Sequence, residues 1–315
     1  MKYVFPALLI CSIAVGCMHK QQQFITTLAI EDSIASNGQM DTTAMVLKKR
    51  LESETGKEAI VTANYNEKQI TMRPGILDKD WIKDNLLKKG KLVFYECYSL
   101  DELNSSLQEA NKVIADKTGA DKTGKAAYPL FNTLNIMPPT TDHNGYSQMP
   151  AAIGTILPED VELLKKYLVL AKDVIPADAV LLLKKEDVLE KAKKKYYLAY
   201  FVKDNDSKFI GSNHVKKAEV ETRNKYADVH MVFDAYGAYA FKRMTAKNID
   251  KPILISIDGQ VLSAPRVLSP IEDGNIIISG VFEKQEATDI ANLLQSGFLP
   301  LNLHLKSMEA LKQPG

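Results

Sequence analysis

The chain has 315 residues, and 40 Lys and Arg stand against 39 Asp and Glu, for a formal net charge of +1. A balance this even gives no electrostatic footprint for nucleic acid or an anionic surface as the main partner. Beyond the first residues there is no apolar run approaching the roughly 20 residues that a bilayer-spanning helix needs, and the length is enough for two or three lobes, each with its own core.

The N-terminus reads as a bacterial lipoprotein signal over residues 1–16. A single Lys2 precedes a short apolar run, VFPALLICSIAV, and then Ala14-Val15-Gly16-Cys17. Small residues before a cysteine suit cleavage ahead of Cys17 and lipidation of its thiol. Several acyl chains anchor far more firmly than one. Residues 17–23 would then be a polar tether, periplasm-facing, with the choice of membrane left open. Cys11 goes with the signal, so Cys97 is the one thiol expected to stay free, and no disulfide is expected in the mature chain.

Over residues 24–98 the periodicity predicts a strand at Phe24 to Ile30 and a helix from Thr42 to Glu54, capped by Asp41 or Thr42, with Met45, Leu47 and Leu51 facing inward. Strands follow at Ile60 to Tyr65 and Lys68 to Met72, joined by a tight turn at Asn66-Glu67. A helix from Asp78 to Lys89 places Trp81, Ile82 and Leu86 inward and ends at Gly90. The strand KLVFYECY, Lys91 to Tyr98, completes the order β-α-β-β-α-β, a ferredoxin-like pattern.

Residues 99–202 form a less regular middle region. A helix is expected from Asp101 to Asp116, then a polar linker from Lys117 to Lys125 and an irregular stretch rich in Pro, Gly and Asn from Leu130 to Gly154. An amphipathic helix from Glu159 to Asp173 follows Pro158, and a strand runs from Tyr196 to Val202. The basic block LEKAKKKYY is read as a solvated helix face leading into that strand.

Residues 203–306 read as an α+β lobe. Strands are predicted at Val215 to Arg223 and Val229 to Phe233, then a helix from Ala235 to Thr245 with Ala238, Phe241 and Met244 on one side. Ile253 to Ile257, Asp258-Gly259 and Val261-Leu262 form a strong hairpin signal. Ser263-Ala264-Pro265 turns the chain out. Ile276 to Ser279 is a strand, and Glu283 to Gln295 is a helix stopped by Gly297. Leu301 to Leu305 returns as a strand before a tail at residues 307–315. The fold class is therefore α+β, with antiparallel sheet in the last lobe.

No chemical motif survives scrutiny. Gly119 to Ala126 nearly fits a phosphate-binding loop, but Ala126 lacks the hydroxyl that would ligate magnesium and Pro129 blocks the following helix. Asp142-His143-Asn144-Gly145 starts like a calcium loop and lacks its later oxygen ligands. His19, His143, His214, His230 and His304 show no metal-ligand spacing, and no nucleophile elbow is present. Asp258 could serve as an acid, yet Asp-Gly at a hairpin tip needs no catalytic explanation. No catalytic, cofactor, nucleotide or metal site is expected. A hydrolase is the remote alternative, and it would require Asp142, His143, Asp258 and His230 to meet in one polar pocket.

Several of these residues fall in the order of a known family. Phe233-Asp234, Gly237-Ala238, Phe241, Thr245 and Asn248 open the pattern. Asp258-Gly259, Ser263-Ala264-Pro265, Ile278, Gly280, Glu286-Ala287, Leu293-Leu294, Ser296-Gly297 and Leu299-Pro300 continue it. This stretch closely resembles the periplasmic head of SecD/SecDF protein-export subunits. Weaker matches at Pro129-Leu130-Phe131, Gly145 to Gly154, Ile175 to Asp178 and Ile210-Gly211 extend the resemblance through the middle. Leu51, Arg73-Pro74-Gly75 and Leu92 to Phe94 extend it to the first lobe. The matched residues have architectural roles: a turn, a strand end, a helix stop. The resemblance implies a non-enzymatic partner of exported or unfolded polypeptide, or of translocation machinery, without the membrane helices that couple such proteins to proton flow. A scaffold or regulatory lipoprotein that kept the fold and lost peptide binding is the alternative.

Overall fold

The computed structural model describes residues 24–310, apart from 74–77, 122, 142–144, 146, 187–194, 205–209 and 224–225. The signal, Cys17, the core of the basic block, and Asp142, His143 and Asn144 lie outside the described residues.

In chain order the first elements are β1 (Phe24–Ile30), α1 (Asn37–Thr55), β2 (Ile60–Asn64), β3 (Gln69–Arg73), the short α2 (Lys79–Trp81), which continues as a π-turn over Ile82–Leu86, and β4 (Leu92–Glu96). Next come α3 (Leu100–Thr118), α4 (Pro129–Thr133), β5 (Asn135–Ile136), β6 (Thr140–Thr141), β7 (Ser147–Gln148), β8 (Gly154–Ile156), α5 (Val161–Leu170), β9 (Ala179–Glu186) and β10 (Tyr196–Lys203). The last are β11 (Val215–Arg223), β12 (Tyr226–Phe233), α6 (Ala235–Lys247), β13 (Ile253–Ile257), β14 (Gln260–Ser263), β15 (Asn275–Phe282), α7 (Lys284–Ser296) and β16 (Leu303–Ala310). The α+β class read from the sequence is the class observed.

The first sheet has the antiparallel order β16-β1-β3-β2, with α1 and the π-turn packed on one face. The predicted β-α-β-β-α-β order occurs along the chain, but β4 does not close this sheet. It pairs with β13 instead, and β16 takes the place beside β1. Burial explains the exchange. Leu92, Val93, Phe94 and Glu96 are all buried, which suits a strand covered on both faces, whereas β16 alternates between half-buried and exposed, which suits an edge. The first lobe therefore gives up β4 and gains the strand that had been assigned to the last lobe.

Helix α1 begins earlier than predicted. Ser36 is its N-cap and forms a capping box with Gln39, replacing Asp41 or Thr42 in that role. The inward stripe is Met40, Thr43, Val46, Leu47, Arg50 and Leu51; Met45 is 53% exposed and faces solvent, because the stripe at i, i+3, i+4 spacing runs through its neighbours.

The middle region is more regular than its composition suggests. The sheet β5-β8-β10-β9 packs with α3, α4 and α5 around Leu103, Leu107, Ile114, Leu164 and Phe201. β5 and β8 are two and three residues long, too short for an alternation to register in sequence.

The last lobe contains two three-stranded sheets, β11-β12-β15 and β14-β13-β4, in place of one. Ile253, Ile255 and Ile257 join Phe94, Phe233, Phe241 and the α7 residues Ala287, Ile290 and Leu294 in a common core. Leu254 and Val261 belong to a separate cluster with Cys97, Tyr200 and Val202, and this cluster seals the head against the middle lobe. No helix among the described residues is long and apolar enough to cross a membrane.

Candidate functional site

Strand β9 lies at the outer edge of the middle-lobe sheet, and β14 at the outer edge of a head sheet. An edge strand carries main-chain N–H and C=O groups that its single neighbour cannot pair, because alternate residues point away from the ladder. Between these two edges runs a groove of about 680 Å³. Leu183, Lys184 and Lys185 of β9 and Tyr197 of β10 form one wall; Gly259, Gln260, Val261 and Leu262 form the other, and Phe282 and Glu286 also line it. The groove thus combines apolar and aromatic surface, two lysines, one carboxylate and two strand edges. Its size lies within the range of ligand clefts between lobes.

The hairpin that forms the second wall is held from below. Asp258 and Gly259 take φ +51° and +78°, the left-handed pair that a two-residue hairpin turn requires. The Asp258 carboxylate accepts the N–H groups of Gly90 at 3.0 Å and Lys91 at 2.7 Å, and its own N–H donates to Lys91 O. Gly90 in turn adjoins Arg50, which is 7% exposed. The guanidinium donates to Leu86 O at 2.8 Å, Gly297 O at 2.9 Å, Ser296 Oγ at 3.0 Å and, over a short contact, Lys88 O. Burial lowers the Arg50 pKa to about 10, while the Asp258 charge acts in the opposite sense. Ser212 Oγ accepts the Leu92 N–H at 2.8 Å and donates to Gly90 O.

The other singled-out residues have local roles. Asp234 caps α6 through the Gly237 N–H at 2.8 Å and meets His214 Nδ1 at 3.0 Å; these contacts, the Gly237 N–H first, hold its carboxyl below the usual range. His230 Nε2 faces Glu221 at 2.5 Å, and His304 faces Glu31 at 3.3 Å. Neither Asp258 nor His230 lines the groove. Gly119 ends α3, and Gly124–Ala127 is a short 3-10 turn. Among the described residues no three His, Cys, Asp or Glu side chains converge as a metal site would require. Cys97 is buried, and burial pushes its thiol up to about 12. The sequence reading missed Arg50, Ser212 and β9. The available signal for Arg50 was its place three residues after Leu47, on the buried stripe of α1.

A protein-family model described as SecDF, P1 head subdomain, matches residues 186–301. Over these residues the chain is similar to the SecDF P1 head, and more widely it resembles SecD/SecDF periplasmic domains. The protein translocase subunit SecD of Magnetococcus marinus is 33% identical over 131 residues, 41% of this chain and 24% of that protein. SecD of Calditerrivibrio nitroreducens is 24% identical over 242 residues, 75% of this chain and 43% of that protein. A solved structure of a membrane component SecDF that enhances protein export covers 91% of this chain and 100% of its own, with TM-score 0.53 and 17% identity, a likeness of fold. The matched segments span less than half the length of these SecD relatives. Two of the elements that frame the groove, β14 and α7, lie within the matched segment, which begins at residue 186, where β9 ends.

Proposed function

We propose that this SecD-type domain is a lipid-anchored, non-enzymatic envelope protein, periplasm-facing, that holds exported or unfolded polypeptide or docks on translocation machinery. It performs no proton-driven work of its own. The observation that carries the reading is the groove between the β9 and β14 edges. Strand edges recruit extended chains through main-chain hydrogen bonds, and flanking apolar pockets take alternate side chains. The half-buried Leu183 and Tyr197 offer that apolar surface, backed by the buried Val261, Leu262 and Phe282 at the groove wall. The relatives' names as translocase subunits support the export setting. The sequence Ala14-Val15-Gly16-Cys17 supports the anchor, with Cys17 as the lipidated residue.

The test is photo-crosslinking in the native envelope from probes at Lys185 and Gln260, read by mass spectrometry. Many unrelated exported chains, or translocon subunits, are the expected products. A single defined envelope partner with no exported chains would replace this reading with that of a scaffold. Fatty-acid labelling that persists in Cys17→Ser would refute the anchor.

A further inference from the structure

Three groups of residues far apart in sequence meet at one buried cation. Arg50 lies on α1 in the first lobe. Leu86 and Lys88 belong to the segment that leaves that lobe, and Ser296 and Gly297 close α7, whose Ala287, Ile290, Ala291 and Leu294 pack in the head core. Few side chains could replace this one. The planar fork of a guanidinium presents five N–H donors in fixed directions, whereas a lysine has one compact charge on a flexible stem. The carbonyls that Arg50 reaches come from two different bodies, so separating those bodies would break a set of charge-assisted hydrogen bonds.

The neighbouring backbone is shaped for the same contact. Gly90 has φ +70°, and a Cβ there would lie 3.0 Å from Arg50 Nη2 and 3.3 Å from Gly297 O. Lys89 O also accepts the Leu299 N–H at 2.8 Å. From Gly90 and Lys91 the link passes to Asp258 and so to the hairpin that forms one wall of the groove.

We infer that Arg50 is a positioning residue: it latches the first lobe to the head as one mechanical unit and, through Gly90, Lys91 and Asp258, sets where the β13–β14 hairpin stands. The latch is independent of what the groove binds; its effect on binding rests on the polypeptide-holding reading. The two halves of the linkage are separable. Loss of Arg50 frees both α1 from α7 and the segment 86–91. Loss of the Asp258 carboxylate frees only the hairpin, and glycine can adopt the left-handed backbone there.

The experiment uses the full chain with spin labels on ketone side chains introduced in pairs at Lys48 with Gln285, across the α1–α7 junction, and at Lys48 with Gln260, between α1 and the hairpin. Each pair should give one narrow distance distribution in the parent protein. Arg50→Met should broaden both, Arg50→Lys should broaden both to a smaller extent, and Asp258→Gly should broaden only the pair that includes Gln260. Circular dichroism confirms that each variant is folded; if Arg50→Met is not, Arg50→Lys and Asp258→Gly carry the test. Broad distributions in the parent, or narrow ones in every folded variant, would overturn the latch. The Gln260 photo-crosslink, run on the same proteins, separates the two ideas. Distances that respond while no chain crosslinks in the parent leave the latch standing and remove the holding function. Crosslinks that persist with unchanged distances in the variants do the reverse.

Discussion

Replacing Phe94 with alanine tests the strand exchange that distinguishes this fold from the order read along the chain. Phe94 is fully buried on β4, with its ring 4.9 Å from Phe241 and 5.9 Å from Phe233, both edge-to-face. Truncating a buried phenylalanine costs about 3–5 kcal/mol, and each aromatic pair adds about 0.5–1.5 kcal/mol beyond area burial. Allowing for partial collapse of the site, Phe94→Ala should lower stability by about 4–6 kcal/mol, and Phe94→Leu by much less. The location of the damage is the sharper readout. Phe94 packs with Ile253, Ile255, Phe233 and Phe241 of the head, whereas the first-lobe core is built from Leu28, Leu47, Leu51 and Ile70. Hydrogen exchange at low urea, followed by peptide mass spectrometry, should therefore show β12, β13 and β15 losing protection before β1 and β3. Total urea stability can be followed by the fluorescence of Trp81, the chain's single tryptophan. A loss below about 1 kcal/mol, or early exchange confined to β1 and β3, would refute the assignment of β4 to the head.

Three further outcomes follow from local geometry. Lys247→Met strands the buried Glu96 carboxylate, which Lys247 Nζ meets at 3.0 and 3.2 Å; the cost should be about 1–3 kcal/mol, below that of a fully buried pair because the lysine is exposed, and adding Glu96→Gln should recover part of it in denaturant titrations. Cys97, with its thiol raised to about 12, should resist iodoacetamide at mildly alkaline pH in the folded protein and label on unfolding, as mapped on its own peptide; rapid native labelling would contradict the burial. Asp234 has a folded pKa below its unfolded value near 3.9, so its contribution is present above that value and lost as pH falls through the folded pKa. Asp234→Asn keeps a capping oxygen without the charge and should show a shallower acid-side loss of stability, whereas Asp234→Ala should lose about 1 kcal/mol at neutral pH.

Local chemistry made much of the chain legible. The hairpin at Asp258-Gly259, the helix stop at Gly297 and the strands of the last lobe depend on neighbours within a few residues. Backbone sterics and short hydrogen bonds operate over that range, so the residues announce themselves. The same holds for the α+β class, which follows from where the hydrophobic period changes between 2 and 3.6.

The pairing of β4 with β13, the return of β16 to β1 and the groove between β9 and β14 were settled only by the tertiary structure. A strand's alternation shows how many of its faces are buried, but it carries no information on which partner buries them. KLVFYECY was recognisable as a buried strand, and only the assembled head supplied two covered faces for it. Arg50 shows the same division. On its helix it is a polar residue interrupting an apolar stripe, and its carbonyl partners lie between 36 and 247 positions away. A buried charge is tolerated only where distant backbone groups converge to replace water, and that convergence exists nowhere but in the folded chain.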